Sequence, residues 1–295
     1  MGLGLSSDPS PPTFPLYGQN QYDSLSSFTI HGQTYQIITV IGHGGEAIVY
    51  LCTDSYGYQY AVKVFDFSHI PYSGLVKRVE KFSKEGRILQ LLGMRSKYFI
   101  RVVDYDYVPS EKRAYLVMEL GSGSLRQYLQ GRPLEEPYRK IYWRQIVSII
   151  RTLEEANIVH GDIKPENLIL VNDTLKVTDL GLAFRLASTR TSVKRPAARG
   201  TLDYMAPEVL TKRYGYKADV YSAGCILYEM TYGAPPYSLI FDRFEKIEAL
   251  RYGFPIQYAP IAEPSLINLI QLCLQYDSRL RPNAQQLKYH SYTRR

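Results

Sequence analysis

Along the first third of the chain, apolar and β-branched residues come in short runs broken by polar and glycine-rich stretches. FTIHGQTYQIITVIG (28–42) is β-rich and leads into a glycine cluster. AIVYLCT and YQYAVKVFDF follow, split by SYG, which reads as a hairpin. From about residue 74 to 92 the period lengthens. Val79, Phe82, Glu85, Gly86 and Leu89 share one face at three- and four-residue spacing, and Glu80, Lys84 and Arg87 share the other, so a helix is expected. YFIRVVDYDYV and RAYLVMEL are strand-like again. Beyond Gly123 the pattern is mainly helical, through RKIYWRQIVSIIRTLEEAN. ADVYSAGCILYEM is apolar nearly all round, which marks a buried helix. The pattern gives an α+β chain. A first lobe, residues 31–120, combines a five-stranded antiparallel sheet with one helix, and a larger, mainly helical lobe covers 121–295. Residues 1–30, with SSDPSPPTFP, are rich in Ser, Pro and Gly and read as a disordered tail.

Composition narrows the setting without naming a function. The 295 residues are 45% apolar and 21% charged, enough to bury a substantial core. No apolar run approaches the ~20 residues that span a bilayer. Residues 1–30 hold no Lys or Arg and no continuous apolar core, so no secretory signal is expected. Cys52, Cys225 and Cys273 are scattered and odd in number. They suggest neither a disulfide framework nor a zinc site, and a reducing, intracellular setting, cytoplasmic or nuclear, is the simple reading. MGLGLS matches the N-myristoylation pattern, but a chance match in a flexible terminus is the plainer reading. A single acyl chain binds membranes only marginally, and no basic cluster follows it, so membrane association is not expected. The net charge of +7 fits nucleic acid, a membrane surface or an acidic protein substrate equally well. The aromatic residues are not interleaved with Lys and Arg as stacking platforms would be, so direct nucleic-acid binding is not expected.

Chemistry-bearing residues come in a definite order. IGHGGEAIVY sets Gly42 and Gly44 between two strands, where backbone without a Cβ approaches a phosphate closely. The cluster does not open a helix, which disfavours a dinucleotide-binding fingerprint. Lys63, in AVKV on the next strand, either alternates out to solvent or points into a cleft, and the preceding glycine loop favours the cleft. Glu85 lies on the apolar face of the helix, where a carboxylate needs a partner, and Lys63 is the natural candidate. Glu80 has the alternative of an outer-face pair with Lys84. HGDIKPEN (160–167) and KVTDLG (176–181) then bring Asp162, Lys164, Asn167 and Asp179 into a short span. Their carboxylates and amide offer the hard oxygen ligands that Mg²⁺ prefers. GTLDYMAPE and RLRP follow.

In this order the motifs resemble a eukaryotic protein kinase over residues 31–291. The resemblance implies a bilobal kinase fold using ATP and Mg²⁺. Ile41, Gly42, His43, Gly44 and Gly45 would cover the phosphates, and Lys63 would bind them while pairing with Glu85. Asp162 would accept the substrate hydroxyl's proton, and Asn167 and Asp179 would hold the metal. Lys164 is similar to the lysine that meets the γ-phosphate in serine/threonine kinases. Val49, Ala61 and Ile169 would sandwich adenine. Met118 would be the gatekeeper, with Glu119, Leu120 and Gly121 as the hinge. Leu89, His160 and Leu180 would join a packed spine, Glu208 and Arg281 a buried ion pair, and Asp219 would brace the catalytic loop. A pseudokinase scaffold is the competing class. It typically lacks at least one of Lys63, Glu85, Asp162, Lys164, Asn167 and Asp179, and all six are present.

Finer features resemble the monopolar-spindle family, dual-specificity kinases of the spindle-assembly checkpoint. GHGGEAIVY lacks a third loop glycine, with Ala47 in its place, and IRVVDYDY, MELGSGSL, TSVKRPAARGTLDYMAPE and CILYEMTYGAPPY are similar to family segments. The resemblance implies Ser/Thr and also Tyr phosphorylation, protein substrates with acidic residues near the phosphosite, and kinetochore or checkpoint partners. Two features depart from the family. Leu180 replaces a Phe, and only about 30 residues precede the kinase-like region, so the family's N-terminal targeting domain is not assumed. Gly161 stands where most kinase loops carry Arg, and the family also lacks that Arg. Residues 180–202 contain five Lys or Arg and no Asp or Glu, so a mobile loop is expected. Phosphates on Thr189, Thr191 or Ser192 would then be paired by bases within the segment. Thr201 is expected to contact Asp162 and Lys164.

Overall fold

The computed structural model describes residues 25–187, 190–195 and 199–294. The first lobe is an antiparallel sheet of β1 (Ser27–Ile30), β2 (Gln33–His43), β3 (Ile48–Thr53), β4 (Gln59–Asp66), β5 (Val102–Val108) and β6 (Arg113–Glu119), with helix α1 (Tyr72–Arg95) between β4 and β5. The strand order is β1-β2-β3-β4-β6-β5. This is one strand more than the five expected. His31 (φ +46) and Gly32 (φ +81) both take left-handed backbone, which is the two-residue hairpin geometry that matches strand twist. The run 28–42 therefore folds back on itself, pairing Phe28 with Tyr35 and Ile30 with Gln33. The tail reading of 1–30 is corrected at its end, since Ser27–Ile30 is strand; residues 1–24, with the acylation pattern, lie outside the described residues.

Alternation along β6 buries both faces of the sheet. Tyr115 and Val117 join Phe28, Tyr35, Tyr50 and Val62 on one side, with Phe28 stacked on Tyr115 at 4.2 Å. Leu116 and Met118 face the main core with Phe82 and Leu89 of α1. The helix buries Phe82, Glu85, Gly86, Leu89 and Leu92, and so turns a carboxylate inward as its spacing predicts.

The second lobe carries β7 (Gly123–Ser124), α2 (Leu125–Leu129), α3 (Glu136–Glu155), β8 (Ile158–Val159), β9 (Leu168–Val171), β10 (Thr174–Val177), β11 (Phe184–Arg185), β12 (Ser192–Lys194), α4 (Pro207–Leu210), β13 (Arg213–Gly215), α5 (Tyr216–Tyr232), α6 (Arg243–Tyr252), α7 (Pro264–Cys273), α8 (Ala284–Tyr289) and α9 (Ser291–Arg294). Helix α5 is buried along nearly its whole length and stops at Gly233, whose φ of +89 forms a left-handed cap. Arg281 is fully buried. It makes a two-pronged pair with Glu208 at 2.6 and 2.8 Å, and donates to the carbonyls of Lys217, Gln275 and Tyr276. Among the described residues no helix is long and apolar enough to cross a membrane.

Candidate active site

The site lies where the sheet meets the helical lobe. Strands β2 and β3 pair up to His43 and Ile48, and the Gly44 amide closes the loop on the Ala47 carbonyl at 2.8 Å. Gly44 and Gly45 border a cleft of about 180 Å³ with Lys63, Glu85, Asp162 and Asp179. Lys63 alternates into this cleft from β4. Its Nζ reaches Glu85 Oε1 at 3.0 Å and Asp179 Oδ1 at 3.1 Å, so three of the expected site residues meet at one ammonium. Burial opposes the charge on Lys63, but the two carboxylates outweigh it and raise its pKa. Burial raises Glu85 despite Lys63, whereas at Asp179 the attraction of Lys63 overcomes burial and holds the carboxyl below its usual range. Asp179 sits at φ +56, a strained conformation for a residue with a Cβ, of the kind that functional sites retain.

Asp162 and Lys164 meet through Thr201. Lys164 Nζ donates to Thr201 Oγ1 at 2.7 Å and lies 3.0 Å from Asp162 Oδ2. The Thr201 hydroxyl and amide donate to Asp162 Oδ1 at 3.1 and 2.8 Å. Asn167 Nδ2 donates to the Asp162 carbonyl at 2.9 Å, which leaves the amide oxygen as its acceptor end. Asp219, wholly buried on α5, takes the amides of His160 and Gly161 at 2.8 and 2.9 Å, bracing the loop as expected. The His160 ring accepts from the Asp162 amide at 3.2 Å and reaches the Thr178 carbonyl at 3.4 Å, tying the catalytic loop to the segment after β10 that carries Asp179. Leu89 and Leu180 belong to one buried core.

The far end of the cleft is apolar. Ala61 pairs with Met118 across β4 and β6, and Val49 pairs with Lys63 across β3 and β4. Gly121 lies so close to Ile169 that a Cβ there would stand 2.2 Å from Ile169 Cγ2. Ile41, Gly42, Val49, Ala61, Leu120 and Ile169 are half-buried, and His43, Gly44 and Gly45 are exposed. The Glu119 side chain is taken up by Lys176 at 2.7 Å and the Arg101 amide at 2.7 Å, and its own amide donates to the Arg101 carbonyl at 3.0 Å.

Three features carry no signal in the sequence pattern. Glu46, in the glycine loop, pairs with Arg78 at 2.8 Å and Lys81 at 2.5 Å on α1. Burial works against its charge, yet the two bases hold its carboxyl below the usual range. Arg126 on α2 binds Glu166 of the catalytic loop at 2.7 Å, buried Glu229 of α5, and the Tyr204 hydroxyl. Residues 190–195, expected to be mobile, include β12, which pairs with β13 from Ser192–Gly215 to Lys194–Arg213. Backbone pairing needs no acidic partner, so charge alone misjudged it. Thr189, one of the hydroxyls singled out above, lies outside the described residues.

A family model for the protein kinase domain matches residues 35–293. The chain belongs to the protein kinase family. Use of ATP and a divalent metal ion follows from that membership. This kinase is 33% identical over 280 residues to a dual specificity protein kinase Ttk of Danio rerio, covering 91% of the chain. It is 29% identical over 278 residues to the mouse protein TTK, and 32% identical over 248 residues to the serine/threonine-protein kinase MPS1 of Saccharomyces cerevisiae, covering 90% and 76% of the chain. The kinase spans 28%, 32% and 31% of these three relatives' lengths. They bear out the resemblance to the monopolar-spindle kinases.

Proposed function

We propose that this chain is an active kinase that transfers the γ-phosphate of Mg-ATP to Ser and Thr, and also Tyr, of protein substrates, in mitotic checkpoint and chromosome-segregation signalling. The observation that carries the reading is the joint placement of Lys63 on Glu85 and Asp179 and of Thr201 on Asp162 and Lys164. A scaffold would not need both halves assembled. The glycine loop, residues 41–45, covers the phosphates, with Lys63 on the α- and β-phosphates and adenine between Val49, Ala61 and Ile169. The hinge is Met118 to Gly121. Asp162 takes the proton of the substrate hydroxyl as its oxygen bonds to the γ-phosphorus and the bond to ADP breaks, and Lys164 stabilises the transferring group. Mg²⁺, when bound, neutralises developing phosphate charge. Among the described residues no cluster of three or more His, Cys, Asp or Glu could hold a metal by itself. Asp179 and the Asn167 amide oxygen would hold the ion, with waters and substrate phosphates completing its oxygen shell.

Arg185, Arg190, Lys194 and Arg199 favour substrates with acidic flanks, and kinetochore or checkpoint proteins as partners. Asp162→Asn is expected to lower turnover by about 10²–10⁴-fold while Mg-ATP binding persists. A wild-type protein that binds Mg-ATP yet transfers no more phosphate than this variant would sink the proposal. Phosphosite mapping after incubation with Mg-ATP reads Ser/Thr against Tyr specificity and the segment hydroxyls together.

A further inference from the structure

Gly161 leaves the catalytic loop without a side chain where the loop faces the activation segment. A Cβ on it would approach the Leu182 carbonyl oxygen at 3.8 Å and the Tyr214 ring at 3.9 Å. The same two groups are engaged by a residue 34 positions further along the chain. Arg195 donates from Nη1 to the Leu182 carbonyl at 2.7 Å. Its guanidinium lies 5.5 Å from the centre of the Tyr214 ring and 4.6 Å from that of Phe184, and these two rings pack edge to face. No carboxylate pairs with it among the described residues. Burial and nearby Arg199 depress its pKa, so the rings and one carbonyl are what hold this cation in place.

Each wall of that seat leads to the site. Leu182 follows Asp179-Leu180-Gly181 directly. Phe184 in β11 pairs with Val159 in β8, the residue before His160. Tyr214 accepts a hydrogen bond from the Arg199 amide and donates to the Arg199 carbonyl at 3.1 Å, two residues before Thr201. The Arg195 amide itself donates to the Lys212 carbonyl at 2.9 Å.

We propose that Arg195 is a positioning residue: it brings from the activation segment the guanidinium that the catalytic loop lacks at Gly161, and ties Leu182 and Phe184 to Tyr214, which holds Arg199, so that Thr201 stays on Asp162 and Lys164. The device is expected to act on turnover and not on nucleotide binding, because Phe184 and Tyr214 do not line the cleft and Leu182, which borders it, meets Arg195 through its backbone carbonyl. It works within the segment and needs no modification to engage. The proposal rests on the reading of the chain as an active kinase.

The test compares wild type with Arg195→Ala and Arg195→Lys. Arg195→Ala is expected to lower kcat about tenfold or more with KM for ATP unchanged. Methylguanidinium added to the assay, which can enter the vacated seat, is expected to restore part of the loss, and Arg195→Lys to fall between the two. Unchanged kcat in Arg195→Ala overturns the proposal. So does a loss of kcat that follows a drop in melting temperature and is recovered by neither methylguanidinium nor Lys. Hydrogen exchange at the amides of 192–195 reads the pin without any turnover. It is expected to quicken in Arg195→Ala, and unchanged exchange overturns the proposal even in an active enzyme. An inactive wild type with quickened exchange in the variant would instead defeat the kinase reading and leave the pin standing.

Discussion

Gly121 has no room for a side chain. A Cβ there would meet Ile169 Cγ2 at 2.2 Å and the Leu170 carbonyl at 2.7 Å, and the carbonyl is backbone that cannot swing away. Gly121→Ala is therefore expected to cost about 1–3 kcal/mol and, if the proposed placement of adenine against Ile169 holds, to raise KM for ATP, because the strain falls on that wall. A thermal melt and ATP titration of initial rates would check it. At this scale much was legible in the sequence. An inward carboxylate at Glu85 called for a cation, and Lys63 supplied it at 3.0 Å. Asp162, Lys164, Asn167 and Asp179 were legible through their motifs. Glu46, Arg126 and Arg195 were not, since their partners lie on other elements and no periodicity links them. Glu46 and Arg78 are 32 residues apart, and Arg126 and Glu229 are 103 apart.

Elements came through by period, and failed where a turn was hidden inside one run. The helix expected over 74–92 extends from Tyr72 to Arg95. The strand expected from Phe28 onward divides at His31–Gly32, a pair whose left-handed backbone the apolar pattern does not announce. His31 also fastens this hairpin to β5, reaching Asp104 at 3.0 Å and Asp106 at 3.5 Å. The hydrogen bond and charge of Asp104, then Asp106, raise its pKa above 6.5. The folded chain thus holds the proton more tightly than the unfolded chain. The stabilisation is complete below about pH 6.5 and is lost as pH rises through the raised folded value. His31→Gln is expected to flatten this dependence: between about pH 5.5 and 8.5 the wild-type melting temperature should fall by more than the variant's. In the glycine loop, Glu46→Gln should raise KM for ATP several-fold with a smaller change in kcat, since it frees the loop from α1 without touching Asp162. Initial rates at varied ATP would show the split, and equal KM values would exclude a role for the pair.

At the scale of the whole molecule, the apolar core of the helical lobe encloses a buried ion pair. Arg281 is fully enclosed, and Glu208 supplies both of its carboxylate contacts. Glu208→Gln leaves that cation uncompensated and is expected to cost about 3–5 kcal/mol, seen as a lower melting temperature with a weakened second lobe in hydrogen exchange. The two-lobe division was legible from the change of period near Gly123, whereas contacts between lobes were not, because they join residues of unrelated pattern. The Glu46 pair likewise joins residues of unrelated pattern, within the first lobe. Arg78 and Lys81 stand two turns and one turn ahead of Glu85 on one rigid rod, so the lip of the cleft and the partner of Lys63 are geared together. A compound that props the lip open from beneath would be felt at Glu85 through the helix, and could idle this enzyme without ever reaching Asp162.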